Sequence, residues 1–190
     1  TAYEIRPRDW SSDVCSSDLL ALGGDEAIRI DVNSNDSFFI AKQIAAVAKE
    51  GNYDLIFTGK ETIDYNSASI GSMLSALLDL PFVSLANQFN CDGNTATVRR
   101  EIEGGEETCE LNLPAVISCQ KGMAEQRIPN MRGIMAARSK PLKVVSPIEA
   151  TATTLIKKFD TPPAKSGVKL VDPSQMDELV RLLKEEAKVI

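Results

Sequence analysis

From residue 27 onward the apolar positions alternate between short β-branched runs and segments with helical spacing. Ala27–Val32 (AIRIDV) is a short strand flanked by turn residues. Asp36 or Ser37 can cap the helix that follows. Its apolar residues Phe39, Ile40, Ile44, Val47 and Ala48 recur at helical spacing until Gly51 ends it. Tyr53–Thr58 is a continuous apolar run, as expected of a parallel strand buried on both faces. The polar loop Gly59–Ser69 leads into an apolar helix over Ile70–Leu78, which Asp79 and Pro81 terminate, and Phe82–Leu85 begins another strand. These βαβ units with right-handed crossovers predict an α/β fold built on a parallel sheet.

The rhythm then changes. Thr95–Glu103 alternates charged and apolar residues, Gly104-Gly105 supplies a tight turn and Glu106–Leu113 returns, which predicts an antiparallel hairpin. Pro114–Cys119 is another buried strand, followed by a loop over Gln120–Asn130, a short helix over Arg132–Arg138 and a strand over Leu142–Val145. Beyond Ser146 the prolines 147, 162, 163 and 173 break up an extended arm. A last amphipathic helix over Gln175–Ala187 carries Leu179, Val180, Leu182 and Leu183 as its apolar stripe. An arm with so little core of its own is read as a partner-binding tail. The expected domains are residues 20–146 as the α/β body and 147–190 as the arm and helix.

Residues 1–19 read differently. Ile5–Leu19 shows neither period, holds the only Trp and repeats Ser/Asp (SSDV, SSDL). It resembles the translation of a sequencing adapter fused to a reading frame, the alternative being a genuine polar extension. It is set aside from fold reasoning.

Composition narrows the chemistry. Histidine is absent from the 190 residues, so a Ser-His-Asp or Cys-His nucleophile pair is excluded, as is an imidazole metal ligand. The four cysteines have no C-x-x-C spacing, so no metal is expected and free thiols are. A net charge of −6 argues against a nucleic-acid partner. No apolar run reaches the roughly 18 residues of a membrane span, so no membrane insertion is expected.

Two loops carry candidate sites. In open α/β sheets ligands bind beyond the carboxyl ends of the strands, where the stretch from Thr58 to Gly71 falls. Gly59 and Gly71 let backbone approach a ligand. Asn66, Ser67 and Ser69 lie near a helix N-terminus that favours phosphate, and Asp64 can accept from a ribose or an adenine amino group. From spacing alone, a polar loop with an ordinary helix cap remains equally open. The second loop, Cys119–Arg138, combines Met123, Ile128, Met131 and Met135 with Arg127, Arg132 and Arg138. An adaptable docking surface is one reading; core methionines beside solvated arginines is the other.

The segments DLIFTGKETID, LPFVSLANQF, VRREIEGGEETCELNLPAVISCQKG, EQRIPNMRGIMAARSKPLKVVSP and PPAKSGVKLV resemble, in order and spacing, the electron transfer flavoprotein β subunit. The likeness runs from about Leu20 to Ile190. It implies a parallel-sheet, Rossmann-like adenine-nucleotide-binding fold with an antiparallel hairpin insertion and a C-terminal arm plus helix. It also implies a heterodimer whose α subunit holds FAD, with AMP in the β subunit, or a second FAD in flavin-bifurcating members. Electrons then pass from dehydrogenases, such as acyl-CoA dehydrogenases, to a quinone oxidoreductase, and the subunit performs no bond chemistry.

The implied nucleotide-binding residues are Gly59, Asp64, Asn66, Ser67, Ser69, Ile70 and Gly71, Ser69 and Ile70 standing where Gln and Thr are common. The implied dehydrogenase-docking residues are Glu125, Arg127, Ile128, Met131 and Met135, with Met131 in place of an anchoring leucine. The family's first strand and about two further α/β elements have no counterpart, which implies exposed apolar sheet edges and a tendency to aggregate. A bacterial cytoplasm is the expected location, or the mitochondrial matrix for a eukaryotic source. The competing function is a stand-alone adenine-nucleotide-binding α/β protein of universal-stress type. A purely structural scaffold without nucleotide is a third.

Overall fold

The computed structural model describes residues 18–63, 66–125, 127–164 and 167–190. The chain divides into two compact units, one reaching to Leu155 and the other Ile156–Ile190. The adapter-like stretch lies almost wholly outside the described residues, which begin with a helical turn at residues 18–21.

In the first unit, β1 (Ala27–Ile30) is followed by α1 (Ser37–Gly51), β2 (Leu55–Gly59) and α2 (Ile70–Leu78). Next come β3 (Phe82–Asp92), β4 (Thr95–Ile102), β5 (Gly105–Asn112), β6 (Ala115–Cys119), α3 (Met131–Ala137) and β7 (Leu142–Val145). Of the two candidate caps for α1, Asp36 takes the role: its carboxylate accepts from Phe39 N at 2.6 Å. The helix ends in a left-handed Asn52.

The strands form two sheets. β1 pairs in parallel with β7, and a five-stranded sheet runs β2-β6-β3-β4-β5. This differs from one continuous parallel sheet: among the described residues β2 is bonded only to β6, and β1 only to β7. β3 is longer than the Phe82–Leu85 start suggests. Its first half lies parallel to β6 and its second half antiparallel to β4, with the register shifting around Ala86 beside a left-handed Leu85. The expected hairpin is present as β4 and β5, and the second half of β3 extends it to three antiparallel strands. Across it Arg100 faces Glu107 at 2.9 Å and also donates to Ser84 Oγ; the guanidinium holds the Glu107 carboxyl below its ordinary pKa.

Two apolar clusters pack the five-stranded sheet. Ala41 and Ala45 of α1, Leu74 of α2 and Val116 of β6 form one, flanked by Ile44, Ile56, Ile70 and Phe82. Val83, Ala86, Val98 and Ile117 form the other, with Phe89, Cys109 and Met123 against it. The most enclosed apolar residues of α1 are thus its alanines rather than the larger residues of its apolar stripe, because Ala41 and Ala45 meet α2 and short side chains permit that approach. Cys91, Cys109 and Cys119 are free thiols, and burial pushes the Cys119 thiol up.

The second unit carries α4 (Met176–Arg181), which continues as a π-helical turn over Leu182–Glu186. Leu182 is buried, while Val180, read as part of the apolar stripe, is exposed. Arg181 pairs with Glu178 at 2.7 Å and Glu185 at 3.1 Å along one face.

Candidate functional site

The loop between β2 and α2 opens at the carboxyl ends of the parallel strands. Parallel pairing sets Thr58 beside Ser118 and Gly59 beside Cys119, and Ser118 Oγ donates to Gly59 O at 3.4 Å. Asp64 and Tyr65 lie outside the described residues. Asn66 has φ of 51°, turning the chain back so that Thr62 and Ser67 bond each other: Thr62 N to Ser67 O at 2.9 Å, and Ser67 N to Thr62 Oγ1 at 3.1 Å.

Ser69 occupies the N-cap of α2, but its side chain makes no cap bond, and among the described residues no side chain is seen to cap the first N–H groups of this nine-residue helix. The Ser69 hydroxyl instead meets Ser67 Oγ at 3.2 Å, and Ser67 Oγ meets Ser37 Oγ at 3.1 Å. Three hydroxyls therefore bridge the N-termini of α2 and α1, both positive ends of helix dipoles. Ile70 turns its side chain into the core, leaving its backbone N–H as what it offers a ligand. Gly71 is buried: a Cβ there lies 2.8 Å from Thr58 Oγ1 and 2.9 Å from Phe82 Cε2.

Thr58 Oγ1 is itself buried and has no hydrogen-bond partner among the described residues. An orphaned hydroxyl beside an uncapped helix N-terminus and a row of serines suits the phosphate of a nucleotide. Gly59, with nothing near the position of a Cβ, leaves room for close backbone approach. Sequence reasoning missed Thr58 and Ser37. Thr58 stood at the edge of the loop, and Ser37 was read only as a helix cap. It is free for Ser67 because Asp36 does the capping.

The second candidate segment is on the surface. Glu125 and Arg127 are exposed. Ile128 is 84% exposed, Met131 74% and Met135 59%, so the core reading fails for these two methionines. It holds for Met123, which packs against Val83 and its neighbours. Met131 and Met135, four apart on α3, share a face. None of α3 is buried. Asn130 Oδ1 accepts from Gly133 N at 2.8 Å, and Gly133 lies against the Ala21 carbonyl, where a Cβ does not fit. Lys140 Nζ donates to Leu20 O at 2.9 Å and Gly24 O at 2.6 Å, satisfying carbonyls at the end of the first helical turn. Among the described residues no cluster of His, Cys, Asp or Glu has a metal-holding arrangement, and no helix is long and apolar enough to cross a membrane.

Fold and loop together define an open α/β protein with a candidate ligand site at the ends of its parallel strands. The electron transfer flavoprotein domain family matches residues 11–150. Electron transfer flavoprotein subunit beta of Syntrophomonas wolfei is 34% identical over 174 residues, covering 90% of this chain and 69% of that protein. The mitochondrial subunit beta of Arabidopsis thaliana is 37% identical over 179 residues, with 90% and 70% covered. The human subunit beta is 31% identical over 180 residues, with 90% and 69% covered. The chain belongs to the electron transfer flavoprotein family.

Proposed function

We propose that the chain is the β subunit of a heterodimeric electron transfer flavoprotein, a carrier without bond chemistry of its own. It works with an α subunit that holds FAD, and it holds AMP in the loop between β2 and α2. Electrons reach it from dehydrogenases, with acyl-CoA dehydrogenases the leading class, and leave toward a quinone oxidoreductase. FAD supplies the redox chemistry; Ser37, Thr58, Ser67, Ser69 and the first N–H groups of α2 bind the phosphate of AMP. The observation that carries the nucleotide part is the buried Thr58 hydroxyl, without a partner among the described residues, beside an α2 N-terminus that its own N-cap side chain leaves uncapped. Gly59, Asp64, Asn66 and Gly71 complete the proposed site.

Co-expression with a tagged α subunit tests the reading. A yellow heterodimer that releases one FAD and one AMP on denaturation is the expected result. Two FAD per heterodimer assigns the chain to the bifurcating members. A chain that binds AMP but no α subunit defeats the carrier reading and favours the stand-alone nucleotide-binding protein.

Glu125, Arg127, Ile128, Met131 and Met135 form the proposed dehydrogenase-docking surface, with Met131 as its anchor. Met131→Ala is expected to raise the apparent KM for the dehydrogenase about tenfold, the usual scale for losing one exposed apolar anchor, and to leave FAD content unchanged. Steady-state kinetics with the dehydrogenase as varied partner checks this, and an unchanged KM removes Met131 from the docking surface.

A further inference from the structure

Among the described residues three polar side chains are buried: Asp36, Gln43 and Ser118. Ser118 belongs to the end of β6. The other two stand seven residues apart, Asp36 at the N-cap of α1 and Gln43 two turns in, and both bond the segment that follows β7. Gln43 treats Ile148 as a strand partner: its Nε2 donates to Ile148 O at 3.0 Å, and its Oε1 accepts from Ile148 N at 2.7 Å. Asp36 divides its oxygens. Oδ1 caps α1, while Oδ2 accepts from Thr153 N at 3.0 Å, Thr153 Oγ1 at 2.8 Å, Thr154 N at 2.7 Å and Thr154 Oγ1 at 2.6 Å.

Four donors on one carboxylate oxygen exceed what a helix cap requires. The Thr154 hydroxyl first, then the Phe39 amide and the remaining donors, hold the Asp36 carboxyl well below its ordinary pKa. The anchor is therefore fully formed above the ordinary Asp range and is lost only as pH falls toward the depressed value. Beyond Thr154 large apolar side chains stand exposed at intervals among charged residues: Leu155 is 85% exposed, Phe159 71%, Val168 83% and Leu170 91%. Large apolar side chains left to solvent along an arm mark a segment suited to a partner surface.

We propose that Asp36 and Gln43 are positioning residues for assembly with the α subunit: together they fix on α1 the point from which the arm departs. This rests on the reading of the chain as a subunit of the heterodimer. An arm held at its root loses less conformational freedom on docking than one whose root is loose, so the anchor acts on the lifetime of the complex.

Asp36→Asn separates the two roles of the side chain. Asparagine caps a helix as well as aspartate, so the bond to Phe39 N persists. Its NH2 group then faces the four donors of Thr153 and Thr154 and accepts none of them. In the co-expressed full-length heterodimer and in the free chain, Asp36→Asn is expected to speed amide exchange at Thr153 and Thr154 at least tenfold. Exchange at Phe39 and along α1 stays as in the wild type, and dissociation from the α subunit accelerates about tenfold. Thr153→Val combined with Thr154→Val, both on exposed positions, removes two of the four donors and produces the same changes in smaller measure. Asp36→Asn with unchanged exchange at both threonines overturns the anchor. Faster exchange with an unchanged dissociation rate overturns its part in assembly. A wild-type chain that does not bind the α subunit defeats the heterodimer reading, and with it the assembly role, while the exchange measurement still decides the anchor.

Discussion

Leu74→Ala is expected to lower the unfolding free energy by about 3 kcal/mol, within the range of roughly 2–5 for emptying a closed apolar site. Leu74 is 1% exposed at the centre of the cluster that joins α2 to α1 and to β6. The size of the effect follows from what surrounds it. Ala41 and Ala45 reach toward Leu74 from α1, and Val116 reaches from β6; none has a side chain long enough to swing into the vacated volume. The loss therefore combines the transfer of the missing atoms with a persistent cavity. For a chain of this size that corresponds to a midpoint lower by roughly 10 °C. Thermal unfolding followed by far-ultraviolet circular dichroism measures it. A shift below about 2 °C means that α2 settles into the space and that the cluster is more compliant than its enclosure implies.

The elements around Leu74 were readable in advance because each is specified locally. Asp36 before a helical stripe, Gly51 after it, and Asp79-Leu80-Pro81 after the next stripe are start and stop signals within a few residues of what they control. The hairpin turn at Gly104 was equally local, and φ of 85° there is why a glycine stands at that point. β3 was readable only in part. Past Leu85 the residues Asn87, Gln88 and Asn90 lack the apolar run that marks a buried strand. They belong to the stretch that leaves β6 and pairs with β4, where one face meets water. The change of partner at Ala86 is a tertiary event with no local signature.

The site shows the same division. Gly59, Ser67 and Ser69 were legible as candidates because a strand, a polar loop and a helix start stand in sequence. Ser37 was not, because its partner Ser67 is thirty residues away. Asp36 was found as a helix cap, but its second role depends on Thr153 and Thr154, more than a hundred residues on. The methionines make the point by contrast. Met123, Met131 and Met135 are the same residue in one loop-and-helix stretch, yet one packs against Val83 and Ile117 while two face solvent. Composition gave the alternatives; tertiary packing separates them, Met123 lying against the sheet cluster while α3 buries none of its residues.

Gly71→Val is expected to abolish nucleotide retention, at a stability cost of about 2–3 kcal/mol, the upper part of the usual overpacking range. Glycine is not needed here for backbone freedom, since Gly71 is an ordinary helical residue, and alanine is intrinsically better in a helix by about 1 kcal/mol. It is needed for space. The first added carbon already lies 2.8 Å from Thr58 Oγ1 and 2.9 Å from the Phe82 ring, and valine adds two methyl groups beyond it. Phe82 sits in the α2 cluster and Thr58 is held in β2, so relief comes by moving the first turn of α2 away from the strand. That movement separates the α2 N–H groups from the Thr58 hydroxyl, the two parts of the proposed phosphate site. Gly71→Ala, which adds one carbon and gains helix propensity, is expected to cost about 1 kcal/mol and to weaken binding without abolishing it. Nucleotide extracted from the purified heterodimer after desalting measures retention. Leu74→Ala is the control, because it destabilises the same helix to a similar degree without touching its N-terminus. If both variants lose nucleotide alike, the loss reports general loosening of α2. If Gly71→Val retains nucleotide at wild-type stoichiometry, the approach of α2 to Thr58 does not set the site. Loss in Gly71→Val alone ties nucleotide binding to the close approach that Gly71 permits.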